Sequence, residues 1–180
     1  MTTPKTAAMR KMVYISGPLT SVDSETMAVL KAFYESVGGI CNEFGFEAYI
    51  PHVFSDPDQA ANLTAAQVDL IDRKAVTSSY LVLAYVGIPA LGCGIEVEMA
   101  YHANVPVFLM YEDDETLEVL EKRVSRLVKG NPGVKKHIRF ITFESALHAI
   151  REALQEFVDG MKDSVLPDVL LPWADDLASE

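Results

Sequence analysis

The chain reads as an α/β domain built on a doubly wound, five-stranded parallel sheet of flavodoxin or Rossmann-like type, and three observations carry that reading. Short apolar runs alternate regularly with stretches of helical period. The run from Tyr80 to Val86 is apolar at every position, as expected of a parallel strand covered on both faces. The chain has 180 residues, 49% of them apolar. A single domain of that size buries roughly 70% of its unfolded surface without metal or disulfide staples.

Taken in order, Val13 to Ser16 is a short buried-strand pattern that ends at Gly17-Pro18. A helical period follows the polar stretch Thr20 to Glu25, with Met27, Leu30, Phe33, Tyr34, Val37 and Ile40 on one face. Gly45 punctuates, Phe46 to Ile50 is the second strand, and Pro51 opens a polar loop through Asp58. A helix from about Ala61 to Ser78 turns Val68, Ile71 and Val76 inward and leads into the Tyr80 strand. After it the loop Gly87 to Gly94 enters a helix with Ile95, Met99 and Tyr101, followed by strand Val105 to Tyr111. The acidic run Glu112 to Glu115 is expected to cap a helix from Thr116 to about Lys129, which Asn131-Pro132-Gly133 breaks. Ile138 to Thr142 is the fifth strand, and a helix from Phe143 to about Asp159 closes the fold. In such a sheet, right-handed crossovers place ligands beyond the carboxyl ends of the strands. That points to the residues after strands one, two and three.

The expected organisation is a leader over residues 1–11, a domain over 12–160 and an acidic tail over 161–180. The leader has no apolar signal core, so a cytoplasmic location is expected. The formal net charge is −11, from 15 Lys plus Arg and 26 Asp plus Glu. Binding of a nucleic-acid polymer rests on clustered basic residues, so this balance disfavours it. Five of the acids follow Lys162, which leaves −6 on the body, a field that a mononucleotide held by backbone amides can still overcome. No apolar stretch approaches the roughly 18 residues of a membrane span. Cys41 and Cys93 form neither a disulfide framework nor a metal motif, and the four histidines lack ligand spacing. No metal and no cofactor are assigned.

The most informative segment is Gly92-Cys93-Gly94-Ile95-Glu96. Its glycines suit a close backbone approach at a helix start, and Glu96 falls in the first helical turn as read from the sequence. An acid there either works in the cleft or complements the helix dipole. Asp69 and Asp72 share a helix face at i, i+3, so at least one lies close to the buried stripe; the alternative is a surface acid paired with Arg73 or Lys74. Two carboxylates converging on one cleft suit glycosidic cleavage. Tyr14 sits on the first strand, two residues before Ser16, where it either packs or aims its hydroxyl at the strand edge. His52 closes strand two as a ligand contact or a solvated loop group.

The segment Lys11-Met12-Val13-Tyr14-Ile15-Ser16-Gly17-Pro18, taken with Gly92-Cys93-Gly94-Ile95-Glu96-Val97, resembles the nucleoside 2-deoxyribosyltransferase superfamily. That family holds transferases, 2′-deoxynucleoside 5′-phosphate N-hydrolases and CMP N-glycosidases, and the chain looks nearer the last two. The resemblance runs from about Lys11 to Phe157. It implies that Glu96 is the nucleophile, Asp72 the proton donor to the leaving base and Tyr14 the residue that orients Glu96. It places Ser16, Gly17 and Pro18 near a 5′-phosphate, His52 near the base or sugar, and Gly92 and Gly94 in the nucleophile's loop. It also implies a homodimer in which Ser125 reaches the phosphate across the interface.

The family pattern is broken in three places. Ala90 stands where transferases have aspartate and phosphate-using hydrolases serine, Leu19 and Thr20 replace an arginine, and Glu98 replaces a glycine. The function so implied is hydrolysis of the N-glycosidic bond of nucleoside 5′-monophosphates through a glycosyl-glutamate. The alternatives are base exchange on deoxynucleosides and a nucleotide-binding module without catalysis.

Overall fold

A computed structural model of the protein describes residues 11–20, 22–54, 63–113 and 124–163. In chain order the elements are β1 (Met12–Ser16), α1 (Ser24–Glu43), β2 (Glu47–Tyr49), α2 (Pro51–Phe54), α3 (Ala65–Thr77) and β3 (Leu81–Tyr85). They continue with α4 (Leu91–His102), β4 (Val107–Glu112), α5 (Arg126–Lys129), β5 (Val134–Phe140) and α6 (Phe143–Asp163). Among the described residues the five strands form one sheet in the order β2-β1-β3-β4-β5, with every neighbouring pair parallel. The chain reverses its direction of travel across the sheet between β1 and β3. In open sheets of this order that reversal opens a crevice at the carboxyl edge.

Side chains on a strand alternate faces, and the alternation divides the core in two. Val13, Ile15, Leu81, Leu83, Phe108 and Met110 pack against Leu30, Phe33, Tyr34 and Val37 of α1 and Ile150 and Leu154 of α6. Tyr14, Val82, Ala84, Val107 and Leu109 pack on the other face with Val76 of α3 and Cys93, Val97 and Ala100 of α4. Tyr14 and Ser16, two apart, therefore look toward the layer that carries α3 and α4. Leu81, Val82, Leu83 and Ala84 are fully buried, which is the physical content of the unbroken apolar run in β3.

Several boundaries differ from the sequence reading. The helix expected from Ala61 begins at Ala65, because Thr64 and Gln67 form a capping box: the Thr64 hydroxyl accepts from the Gln67 amide at 3.3 Å and Gln67 accepts from the Thr64 amide at 2.9 Å. β5 starts at Val134, four residues earlier than expected. It is an edge strand, and its open side tolerates Lys135 and Arg139 opposite buried Ile138 and Phe140. Glu112 closes β4 and accepts from the Tyr85 hydroxyl at 2.7 Å, and Asp113 pairs with Arg139 at 2.8 Å. Of the helix expected over Thr116 to Lys129, residues 114–123 lie outside the described residues, and Arg126–Lys129 is helical. α6 runs to Asp163, past the expected stop near Asp159. The leader 1–10 and the tail from 164 lie outside the described residues. Among the described residues no helix is long and apolar enough to cross a membrane.

Candidate active site

The largest correction concerns the start of α4. Leu91 is the first helical residue, so Gly92, Cys93 and Gly94 are helical and not a loop, and Glu96 stands one turn further in than expected. Neither glycine has positive φ; the described glycine that does is Gly45. The first turn of α4 holds no acid. That removes the dipole-capping account of Glu96, which applies only within the first turn. Two helical glycines cost about 1 kcal/mol each relative to alanine. In return they leave the wall of the helix bare: a Cβ at Gly92 would meet nothing within 4 Å.

Glu96 is held from β1. Tyr14 donates to Oε1 at 2.7 Å, and the Ser16 hydroxyl donates to Oε2. Both donors are fully buried on the strand, so the carboxylate is fixed at both oxygens by groups that cannot swing away. Burial pushes the Glu96 carboxyl above its ordinary range, and the Ser16 and Tyr14 hydroxyls oppose that by stabilising the anion. Burial first, then the negative charge of Glu96, drives the Tyr14 phenol far upward, so it stays a proton donor.

The two aspartates of α3 separate. Asp69 is the exposed one and forms the i, i+4 pair with Arg73 at 2.9 Å. Asp72 faces the cleft. Its pKa is raised to about 6, by burial first and then by the charge of Glu96, with Tyr49 opposing and Asp69 adding a smaller push. A carboxylate whose anion is stabilised by two hydroxyl donors, facing a second carboxyl that burial and a neighbouring charge hold toward its protonated form, is an arrangement that suits nucleophile and acid roles.

These residues border a cleft of about 350 Å³ at the carboxyl edge of β1 and β3, with Gly17, Pro18 and Pro51 on one side and Ala90, Leu91 and Gly92 on the other. Gly17 is required by packing: a Cβ there would stand 2.2 Å from the ring of buried Tyr34, whose hydroxyl donates to the Pro18 carbonyl at 3.4 Å. Ser16 lies beneath this turn with its hydroxyl committed to Glu96. Ala90 is the N-cap of α4 and offers no side-chain hydrogen bond to the first turn, whose residues Leu91, Gly92 and Cys93 line the cleft.

Other expected residues stand elsewhere. His52 is neither a solvated loop group nor a lining residue of this cleft. It is 6% exposed, on α2, with Nε2 3.2 Å from Glu35 and its ring 6.2 Å from that of Tyr34. Ser125 is exposed at the N-cap of α5, and with Gly94 it lines an adjoining cavity of about 310 Å³ that shares Pro89, Ala90, Leu91 and Cys93 with the cleft of Asp72 and Glu96. Glu98 accepts from Asn131 at 2.7 Å and faces His102 at 3.1 Å, so its charge is directed away from the cleft. Cys93 is buried and its thiol is pushed up to about 12 by burial and by Glu96, which leaves it inert. Among the described residues no cluster of His, Cys, Asp and Glu fits a metal ion.

One residue went unrecognised in the sequence. Tyr49 ends β2, pairs in register with Tyr14, and stacks on it with ring centroids 5.3 Å apart. Pairing Val13-Tyr14 with Ala48-Tyr49 across parallel neighbours would have found it, but that needs the strand order.

Fold and site together define a doubly wound α/β protein with two converging carboxylates at its topological switch point. Solved structures with this fold include BlsM, known in solution, at 19% identity over 89% of this chain and 99% of the other, with a TM-score of 0.63. They also include the CMP N-glycosidase BcmB of Clostridium botulinum, at 20% identity over 82% and 99% with a TM-score of 0.51. A conserved protein from Enterococcus faecalis V583 matches at 17% identity over 80% and 99% with a TM-score of 0.54. No protein-family model and no curated protein sequence matches the chain. The chain has the fold of these structures, as the resemblance implied.

Proposed function

We propose that this protein hydrolyses the N-glycosidic bond of nucleoside 5′-monophosphates, releasing free base and sugar phosphate through a covalent glycosyl-Glu96. The observation that carries the reading is the pair of β1 hydroxyls fixed on both oxygens of Glu96, with Asp72 across the same cleft. Glu96 attacks C1′ as the bond to the base loosens toward an oxocarbenium-like state, and Asp72 delivers its proton to the departing nitrogen. Tyr14 and Ser16 keep the nucleophile aimed. Water, activated by Asp72 now in its basic form, then cleaves the glycosyl ester and returns Glu96. The fold shared with a CMP N-glycosidase supports the substrate class. Base release from a panel of nucleosides and their monophosphates, followed by chromatography, tests it; no release from any member would overturn it.

This reading puts the phosphate at the first turn of α4, to which Ala90 supplies no side-chain cap. A second reading, a neutral nucleoside as substrate, draws on the cleft's charge: among the described lining residues only Asp72 and Glu96 are ionisable acids, and none is Lys or Arg. Ala90→Asp separates the two. The new carboxylate caps α4, raises stability by about 1 kcal/mol, and repels a phosphate. Cleavage of monophosphates is expected to fall on the order of 10-fold or more relative to the matching nucleosides. An unchanged ratio would remove the phosphate from α4 and leave the nucleoside reading.

The role of Ser125 across a dimer interface belongs to the same reading. Around it Leu91, Leu127 and Ile95 are 90%, 85% and 54% exposed, an apolar face suited to a second copy of the chain. Light scattering is expected to give the mass of two chains. A monomer at micromolar concentration would refute the shared site.

A further inference from the structure

Tyr49 has no part in the chemistry above, yet its surroundings are those of a working group. Its ring lies between two others: Tyr14 at 5.3 Å with 13° between planes, and Phe54 at 4.6 Å with 10°. A phenol clamped on both faces cannot swing out. Its hydroxyl is enclosed and makes no hydrogen bond of ordinary geometry with any described residue, and the same holds for Asp72 Oδ1. A buried donor and a buried acceptor left unmade each carry a cost, which bonding to each other would relieve. The two groups do feel one another. Tyr49 is pushed up to about 12 by burial and then by the charge of Asp72, and its hydroxyl pulls Asp72 downward. Tyr14, its stacking partner, already gives its hydroxyl to Glu96.

We propose that Tyr49 is the positioning residue for Asp72, its hydroxyl closing on Oδ1 as Asp72 becomes a carboxylate. Two stacked tyrosines on neighbouring strands thus serve the two carboxylates, one each. The proton balance is simple: Asp72 gives its proton to the departing base, and Tyr49 keeps its own and only donates a hydrogen bond to the anion that remains. When water attacks the glycosyl-Glu96, Asp72 takes a proton back and the contact loosens. The inference rests on the reading of Asp72 as proton donor, and it adds a residue to which neither the strand pattern nor the resemblance assigned a role.

The test is Tyr49→Phe, which keeps the ring stack and removes only an unpartnered oxygen. In the free protein, carbon-13 NMR of labelled aspartate follows the Asp72 carboxyl, assigned by its loss in Asp72→Asn. The groups facing Asp72 are Glu96 from α4, Tyr14 from β1, Tyr49 from β2 and Asp69 on its own helix. Only one of them changes. Asp72 is expected to titrate higher in Tyr49→Phe, by on the order of one pH unit. In reverse, Asp72→Asn lowers the pH at which Tyr49 ionises. Base release is expected to lose several-fold in kcat with little change in KM, and its alkaline limb moves up with Asp72. Tyr49→Leu, which also loses the stack, separates ring packing from the hydroxyl: it lowers the melting temperature, whereas Tyr49→Phe does not. An Asp72 titration that is the same with and without the hydroxyl overturns the proposal. A wild-type protein that releases no base would instead refute the proposed function, and the titration would still decide the Tyr49 to Asp72 bond.

Discussion

Replacing Glu96 with Gln is expected to lower base release by about 10⁴-fold or more and at the same time to raise the melting temperature at neutral pH. The kinetic loss follows from removing the atom that bonds to C1′; variants lacking a nucleophile keep only what binding and the remaining site supply. The gain in stability follows from the electrostatics. Glu96 is placed among apolar side chains with two hydroxyl donors and no cation among its described partners, and burial raises its pKa in the folded state. A carboxyl whose folded pKa is raised contributes stability that is fully present below its ordinary value of 4.5 and is lost as pH climbs through the folded value. Glutamine has no such loss. The melting advantage of Glu96→Gln should therefore be present at pH 7 to 8 and vanish in acid below about 4.5. The glutamine amide still meets both hydroxyls, its oxygen accepting one and its NH₂ donating to the other, so the fold is preserved. Full turnover in the variant, or a lower melting temperature at every pH, would refute the assignment. A glycosyl adduct on Glu96, seen by mass spectrometry with a slow fluorinated sugar substrate, should disappear in the variant.

How much of this site was legible beforehand depends on what each residue needs. Tyr14 and Ser16 are two apart on a short strand, so period two alone puts them on one face, and Glu96 lies in the segment richest in glycine. These could be read without coordinates. Spacing alone does not tell Asp72 from Asp69, because i, i+3 residues share a face and the tilt of α3 decides which one meets the sheet; only the resemblance singles out Asp72. The glycine-rich sequence before Glu96 suggests a loop, yet the packing of Cys93, Val97 and Ala100 against β3 and β4 holds the helix through both glycines. The charged run Lys135-Lys136-His137 carries no apolar strand signal, and it belongs to β5 because that strand lies at the edge of the sheet. For His52 the sequence offers a ligand contact or a solvated loop group, and the structure shows neither. Its burial arises from α1, through Tyr34 and Glu35, and no local pattern encodes that contact. Tyr49 required the pairing of β1 with β2, a long-range fact.

Asp72→Asn is expected to lower base release by about 10²- to 10⁴-fold, the usual worth of a general acid, and to change its pH dependence. In the wild type the productive state has Glu96 ionised and Asp72 protonated, and the two carboxyls titrate as a coupled pair. With Asp72 raised to about 6, the rate should fall as pH rises through that region, because the proton the base needs is gone. Asparagine cannot titrate, so the fall above pH 6 should be missing from the small activity that remains. A substrate whose leaving group is an acidic phenol needs no proton and should lose far less than a nucleoside does. The same substitution stabilises the fold. The folded pKa of about 6 exceeds the ordinary 3.8, so the protonated form is favoured on folding, and this contribution is complete below 3.8 and lost by the time pH passes 6. Asp72 is partly exposed, and after solvent screening the stability gained above that window is on the order of 2 kcal/mol. Denaturant unfolding at pH 8 and pH 3.5 should show the advantage of the variant at the first and none at the second. If the nucleoside and phenol substrates lose activity equally, the proton on Asp72 is not the one that reaches the base.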